Sequence, residues 1–302
     1  MTLSVDEYDY IAQIIDRARN LIRTGVWEGI KEHRLDDWLG CLRNFDAELL
    51  AAYLLDNLTF RSRDQYLSLL DTLFADLPMP PNSDGTKPAK MLLEGLQLSA
   101  QDNPTGGVRI APVIGHMAPP TKSGPYILRL AQRRHGMDVC WLTWPHLLEK
   151  AGNITDLYFL DDICGTGDQF DEFLKSINFT TYRNSHPNLR VNYLVTTIHK
   201  RGFDHISKTY PYIKLRWAEH LSAVHSVLSP ECFDRYRVEG FAVKIRDQYE
   251  RVITEAGFPE HEDYADGYGQ LGLAYGFAHA TPDNTLPIFW KQTPKLTPLL
   301  DR

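Results

Sequence analysis

The chain has 302 residues, 43% of them hydrophobic and 24% charged, and a formal net charge of −7. That composition suits a globular protein with enough apolar material for one large core or two domains. The acidic balance argues against bulk attraction to nucleic acid or to an anionic membrane surface.

The four cysteines, Cys41, Cys140, Cys164 and Cys232, are far apart and form no CxxC pair. A structural zinc site or a disulfide framework is therefore not expected, and a reducing cytoplasm fits. The first residues, MTLSVDEYDYIAQ, lack the basic and apolar regions of a signal peptide. No run approaches the roughly 18 apolar residues of a membrane helix. The basic clusters, Arg129 with Arg133 and Arg134, and Lys200 with Arg201, read as solvated helix faces or loops.

In chain order, residues 5–77 read as helical. Ile11, Ile14, Ile15, Ala18, Leu21 and Ile22 recur at helical spacing. Residues 47–58 form a second apolar helix and 61–77 a third, with no β pattern between them. The Pro- and Gly-rich stretch at 77–88 reads as a linker. A short helix near 89–98 and a turn at Asn103–Gly107 follow.

Beyond this point short β-rich runs alternate with helices. Strands are expected at 108–115, 138–144, 156–162, 190–199 and 213–220, and helices at 124–135, 168–177 and 203–208. This alternation predicts an α/β fold, a mainly parallel sheet with helices on both faces. A long helix is expected at 230–255. The tail from Gly269 has a short β-like run, a polar loop and a cluster of aromatics. The linear division is 1–95 as a helical cap or docking segment, 96–260 as the core, and 261–302 as a tail packing on it.

The most informative stretch is LYFLDDICGTGDQF, residues 157–170. A buried strand runs into Asp161 and Asp162, and a glycine loop follows. Adjacent carboxylates repel one another, and desolvating them costs free energy unless partners compensate. Ribose hydroxyls and Mg²⁺ are natural partners. Gly165, Thr166, Gly167 and Asp168 can turn backbone N–H groups toward an anion, at the positive end of the next helix. The plainer alternative is a strand that ends in a polar turn with Asp168 as N-cap.

This run resembles the phosphoribosyl-pyrophosphate (PRPP) signature of type I phosphoribosyltransferases. The resemblance implies a phosphoribosyltransferase-like, doubly wound sheet. It implies that Asp161 and Asp162 face the ribose hydroxyls, directly or through Mg²⁺, and that Cys164, Gly165, Thr166, Gly167, Asp168 and Gln169 line the 5-phosphate. Gln169 replaces the usual Thr or Ser, and Gly165 stands where several purine enzymes of the family carry an acidic base.

Such an enzyme also needs a diphosphate site after its first core strand. Lys122, Ser123 and Gly124 precede a helix starting near Pro125 and fit that place; the alternative is a Pro-rich surface loop. Lys200 or Arg201, at the end of a later strand, either reaches an acidic substrate group or belongs to a basic helix-start loop.

The tail HATPDNTLPIFW and the early segment RNFDAELLAAYLLDNLTFRS resemble a divergent bacterial group of phosphoribosyltransferase-like effectors of conflict and antiphage systems. Some members of that group sit beside ATPase and reverse transcriptase proteins, so the resemblance implies such partners; the missing acidic base at Gly165 fits hydrolysis or an unusual acceptor, a nucleotide or an RNA group. The resemblance places His279, Asp283, Asn284 and Thr285 across the site from the phosphate loop, unless the tail simply packs on the core.

Two functions compete on these residues. One is transfer or hydrolysis at ribose C1. The other is a non-catalytic module that senses PRPP or a nucleotide and regulates a partner.

Overall fold

The structure, a computed structural model, describes residues 4–75, 77, 107–115, 122–258 and 265–302. The helix expected at 89–98, nearly all of the 77–88 linker and all but Gly107 of the turn at Asn103–Gly107 lie outside these residues. No helix among the described residues is long and apolar enough to cross a membrane.

The chain divides into two compact units, one of Met1–Tyr66 with Ser222–Arg302 and one of Leu67–Leu221. This differs from the linear three-part reading. The physical reason is a shared core: apolar residues of the N-terminal helices and of the tail belong to one buried cluster.

In the first unit, α1 (Val5–Arg23) opens with a capping box in which Ser4 and Glu7 satisfy each other's backbone N–H groups. The unit continues with α2 (Glu32–Arg43) and α3 (Glu48–Asn57). Residues Leu49 to Leu55 of α3 are all buried, so it is the central helix of the unit and carries no polar face.

An uninterrupted helical segment was expected next, but Thr59–Arg61 is a strand, β1, paired in parallel with Tyr275–Phe277 of the tail, β6. Its partner lies more than 200 residues along the chain, so no local periodicity announces it. The boundary between units falls within α4 (Arg63–Phe74).

The expected helix at 230–255 is two helices, α9 (Pro230–Phe233) and α10 (Phe241–Glu255). Arg237 at φ 50° and Gly240 at φ 72° lie between them. Residues in the left-handed region cannot continue a right-handed helix. The tail is locked in by Trp38, which stacks on Phe289 with centroids 5.8 Å apart and donates its indole N–H to the Ile288 carbonyl at 2.9 Å.

The second unit contains a parallel sheet of β2 (Val108–Pro112), β3 (Asp156–Cys164), β4 (Arg190–His199) and β5 (Ile213–Leu221), in that order. The strand expected at 138–144 is instead a 3-10 turn at Val139–Trp141, with Asp138 accepting from the Cys140 N–H at 3.0 Å. That local bond competes with strand pairing. Only Leu142 bridges Ile110, in parallel, with the Thr143 N–H on the Ile110 carbonyl at 3.0 Å.

Because β3 occupies one edge of β2, the Leu142 bridge lies on the other. The chain thus steps outward from β2 and then returns past it to β3. Right-handed crossovers in opposite directions place helices on opposite faces. Residues of α6 (Asp168–Ser176), α7 (Phe179–Ser185) and α8 (Lys200–Thr209) share one core with Leu157, Phe159, Val191 and Tyr193. The helix α5 (Ser123–His135) packs on β2 and β3, where strand alternation presents Tyr158 and Leu160. The sheet is doubly wound, with both faces covered, as its nearly continuous apolar strands require.

Candidate functional site

In a doubly wound sheet, ligands bind beyond the carboxyl ends of the strands where the winding reverses. Here the reversal falls between β2 and β3. The two adjacent strand ends carry the two segments singled out from sequence: the approach to α5 after β2, and the DD–GTG loop after β3.

Asp161 and Asp162 are both buried, at 1% and 6% exposure. Asp161 Oδ1 accepts the Asp162 N–H at 3.0 Å, and its Oδ2 accepts the Tyr193 hydroxyl at 3.1 Å. Burial first, and then the neighbouring Asp162 carboxylate, push the Asp161 carboxyl well above the ordinary carboxylate range. Asp162 Oδ1 accepts the Ile163 N–H at 2.9 Å, and the Asp162 carbonyl accepts the Thr196 hydroxyl at 2.5 Å.

The loop that follows is buried from Cys164 through Gly167. Burial and the nearby Asp161 push the Cys164 thiol up to about 12, so it is an inert wall rather than a nucleophile. Thr166 Oγ1 accepts the Asp168 N–H at 3.4 Å, which leaves its hydroxyl proton available to a ligand.

The N-cap of α6 is Gly167, at φ 91°, and Asp168 is the first helical residue. The plainer alternative, with Asp168 itself as N-cap, is off by one residue. The left-handed turn needs a glycine, and the helix start is left without a capping side chain. Gln169 is exposed.

The back of the loop is set by α8. A Cβ on Gly202 would lie 2.6 Å from the Gly165 carbonyl oxygen and 2.7 Å from Cys164 Sγ. The His205 ring lies against Gly167 on the same side.

On β2's side, Lys122 is the exposed N-cap of α5, and Ser123 and Gly124 are its first residues. A Cβ on Gly124 would lie 2.6 Å from the Val113 carbonyl oxygen, so the helix start is held tightly against the chain leaving β2. No side chain caps α5. Two helix starts, each presenting backbone N–H groups, therefore belong to the two strands that flank the reversal.

Residues 35–302 match the PRTase-CE family. The chain belongs to the PRTase-CE family. It thus carries a phosphoribosyltransferase-like domain. No curated protein matches it significantly. Among solved structures it is similar to the AQ2163 protein from Aquifex aeolicus at 11% identity, covering 64% of this chain and 86% of that one, with a TM-score of 0.33.

Lys200, Asn284 and Thr285 were also singled out from sequence in this PRTase-CE protein. Lys200 pairs with Asp204 one turn along α8, at 2.7 Å and on the surface. Asn284 and Thr285 belong to the other unit, where the Asn284 amide donates to the Tyr268 carbonyl at 2.9 Å and the Thr285 hydroxyl to the Tyr275 carbonyl at 2.6 Å.

Among the described residues no group of three or more His, Cys, Asp or Glu is placed to hold a metal. Two adjacent carboxylates fit a cation that brings its remaining ligands with it. Mg²⁺ commonly binds in that way, through one or two carboxylates, water and substrate phosphates.

Sequence reasoning missed Tyr193, Thr196, Gly202 and His205. All four lie on β4 and α8, the elements after the loop. Only their register against β3 and the closeness of α8 bring them to it.

Proposed function

We propose that this PRTase-CE protein binds PRPP or a closely related sugar phosphate at the carboxyl ends of β2 and β3 and breaks the bond at ribose C1. The observation that carries this reading is the meeting of two complementary segments at the winding reversal. The acid pair and glycine loop end one strand, and the Lys122–Gly124 helix start follows its neighbour.

In this reading the N–H groups of Gly165 to Gln169 and the start of α6 hold the 5-phosphate, with the Thr166 hydroxyl donating to it. Lys122, Ser123 and the start of α5 neutralise the diphosphate. The acid pair would accept from the ribose hydroxyls and would hold Mg²⁺, which would supply positive charge beside the leaving pyrophosphate. Departure of pyrophosphate leaves positive charge at C1, and the chain contributes chiefly positioning and electrostatic stabilisation. Gly165 offers no acid–base group, so hydrolysis, or transfer to a nucleotide or RNA group, fits better than ordinary purine-base chemistry.

In this reading the chain acts as an antiphage effector in the bacterial cytoplasm, held by ATPase and reverse transcriptase partners until released; what supports it is the resemblance of the tail and early helical segment to conflict-system effectors. A second reading, a PRPP or nucleotide sensor, is favoured by the same Gly165.

Incubation of the purified chain with PRPP and Mg²⁺, with and without nucleotide or RNA acceptors, separates these. Pyrophosphate release that is lost in Asp161→Asn/Asp162→Asn supports the enzyme. Binding without release supports the sensor, and neither binding nor release refutes both. The effector role predicts that induced wild type slows growth and the double variant does not.

A further inference from the structure

Tyr193 ties together three pieces of the site. Its hydroxyl donates to Asp161 Oδ2 at 3.1 Å. The register pairs Asp161 with Val195, so Tyr193 is the diagonal neighbour of Asp161 on the same face of the sheet. Its ring stacks on Phe170, with centroids 3.7 Å apart and planes within 1°. Phe170 lies in the first turn of α6, the turn that begins at the loop. Phe170 in turn lies against Phe159 of β3. A buried phenol thus joins the acid at the strand end to the helix start that would receive a phosphate.

The two acids are consequently not equivalent. Asp161 faces the α6–α8 side, where one oxygen is held by Tyr193 and the other by the Asp162 N–H. Asp162 takes the next place at the strand end, less deeply buried than Asp161, and its Oδ1 accepts the Ile163 N–H at 2.9 Å. The Thr196 hydroxyl holds the Asp162 carbonyl from β4, fixing the main chain at that point.

We propose that Tyr193 is a positioning residue that braces Asp161 beneath the phosphate loop, and that Asp162 is the acid that meets the ribose hydroxyls. The inference deepens the sugar-phosphate reading and rests on it. It divides a pair of acids that the sequence treats as one.

The test is calorimetric affinity for PRPP with Mg²⁺, with thermal unfolding of each variant alongside. Tyr193→Phe keeps the stack on Phe170 and removes only the hydroxyl. It should weaken binding about five- to tenfold, as loss of one ordinary hydrogen bond does. Asp161→Ala should weaken it by a similar factor, and the Tyr193→Phe/Asp161→Ala double variant should be no weaker than the weaker single variant. Asp161→Asn, which keeps an acceptor for the hydroxyl, should recover part of that loss. Asp162→Asn should lose about thirtyfold or more.

If wild type itself does not bind PRPP, the sugar-phosphate reading falls and takes this inference with it. If wild type binds but Asp161→Asn is as damaging as Asp162→Asn, the division of roles is wrong while the reading stands. Tyr193→Phe lowering the unfolding midpoint with affinity unchanged would make Tyr193 a purely structural residue and overturn the proposal.

Discussion

Gly202 of α8 lies so close to Gly165 that a single added methyl would sit 2.6 Å from the Gly165 carbonyl oxygen. The contact is with backbone, which cannot swing aside as a side chain can. The shape of the loop after β3 is therefore set from behind, by a helix whose chain follows the next strand.

Gly202→Ala should consequently disturb the loop more than the fold. Overpacking at one site costs about 1–3 kcal/mol. The expected outcome is a modest drop in unfolding midpoint together with a large loss of PRPP affinity. Wild-type affinity in a folded Gly202→Ala protein would show that the loop has room to shift.

The buried Asp161 carboxyl gives a pH dependence of known sign. Its titration point is raised on folding, by burial and by Asp162. Between the unfolded and folded values the native state binds the extra proton, so stability falls as pH rises through that window. Without Mg²⁺, Asp161→Asn should remove this slope and be more stable than wild type, relative to low pH, at neutral pH. Unfolding midpoints of the two proteins from acid to neutral pH check this. Parallel curves would contradict it.

The two lysines singled out from sequence should behave differently. Lys122 is exposed at the start of α5, and Lys122→Ala should weaken PRPP binding roughly tenfold or more. Added salt should narrow the gap, because exposed charges are screened. Lys200 is paired with Asp204 on the surface, and Lys200→Ala should change affinity little. Titrations of both variants at low and high salt decide the matter; equal losses would put Lys200 in the site alongside Lys122.

The fold class was legible because β3 and β4 are long apolar runs separated by helical stretches. The acid pair and the loop were legible because glycines and carboxylates at a strand end have few structural uses. β1 was invisible because its ladder partner is Tyr275–Phe277, far along the chain. The 138–144 strand was misread because the Asp138 cap turns a β-rich run into a 3-10 turn. Tyr193 was hidden by looking like any other core aromatic on a buried strand. Its part in the site depends on register, which a single sequence does not display.

The tail is structural in its own unit, whatever else it does. Trp38 is fully buried against Phe289 and hydrogen-bonded to the Ile288 carbonyl. Either Trp38→Ala or Phe289→Ala should cost about 3–5 kcal/mol. Because the two rings touch, the double variant should cost less than the sum of the singles. Chemical denaturation of the three variants measures both quantities, and strict additivity would deny the coupling.

The central claim is that the carboxyl ends of β2 and β3 grip a sugar phosphate. Calorimetric titration of the wild-type chain and of Asp161→Asn/Asp162→Asn with PRPP and Mg²⁺ tests it most directly. The account predicts saturable binding by wild type and none by the double variant. Equal binding by both proteins, or binding by neither, would contradict it.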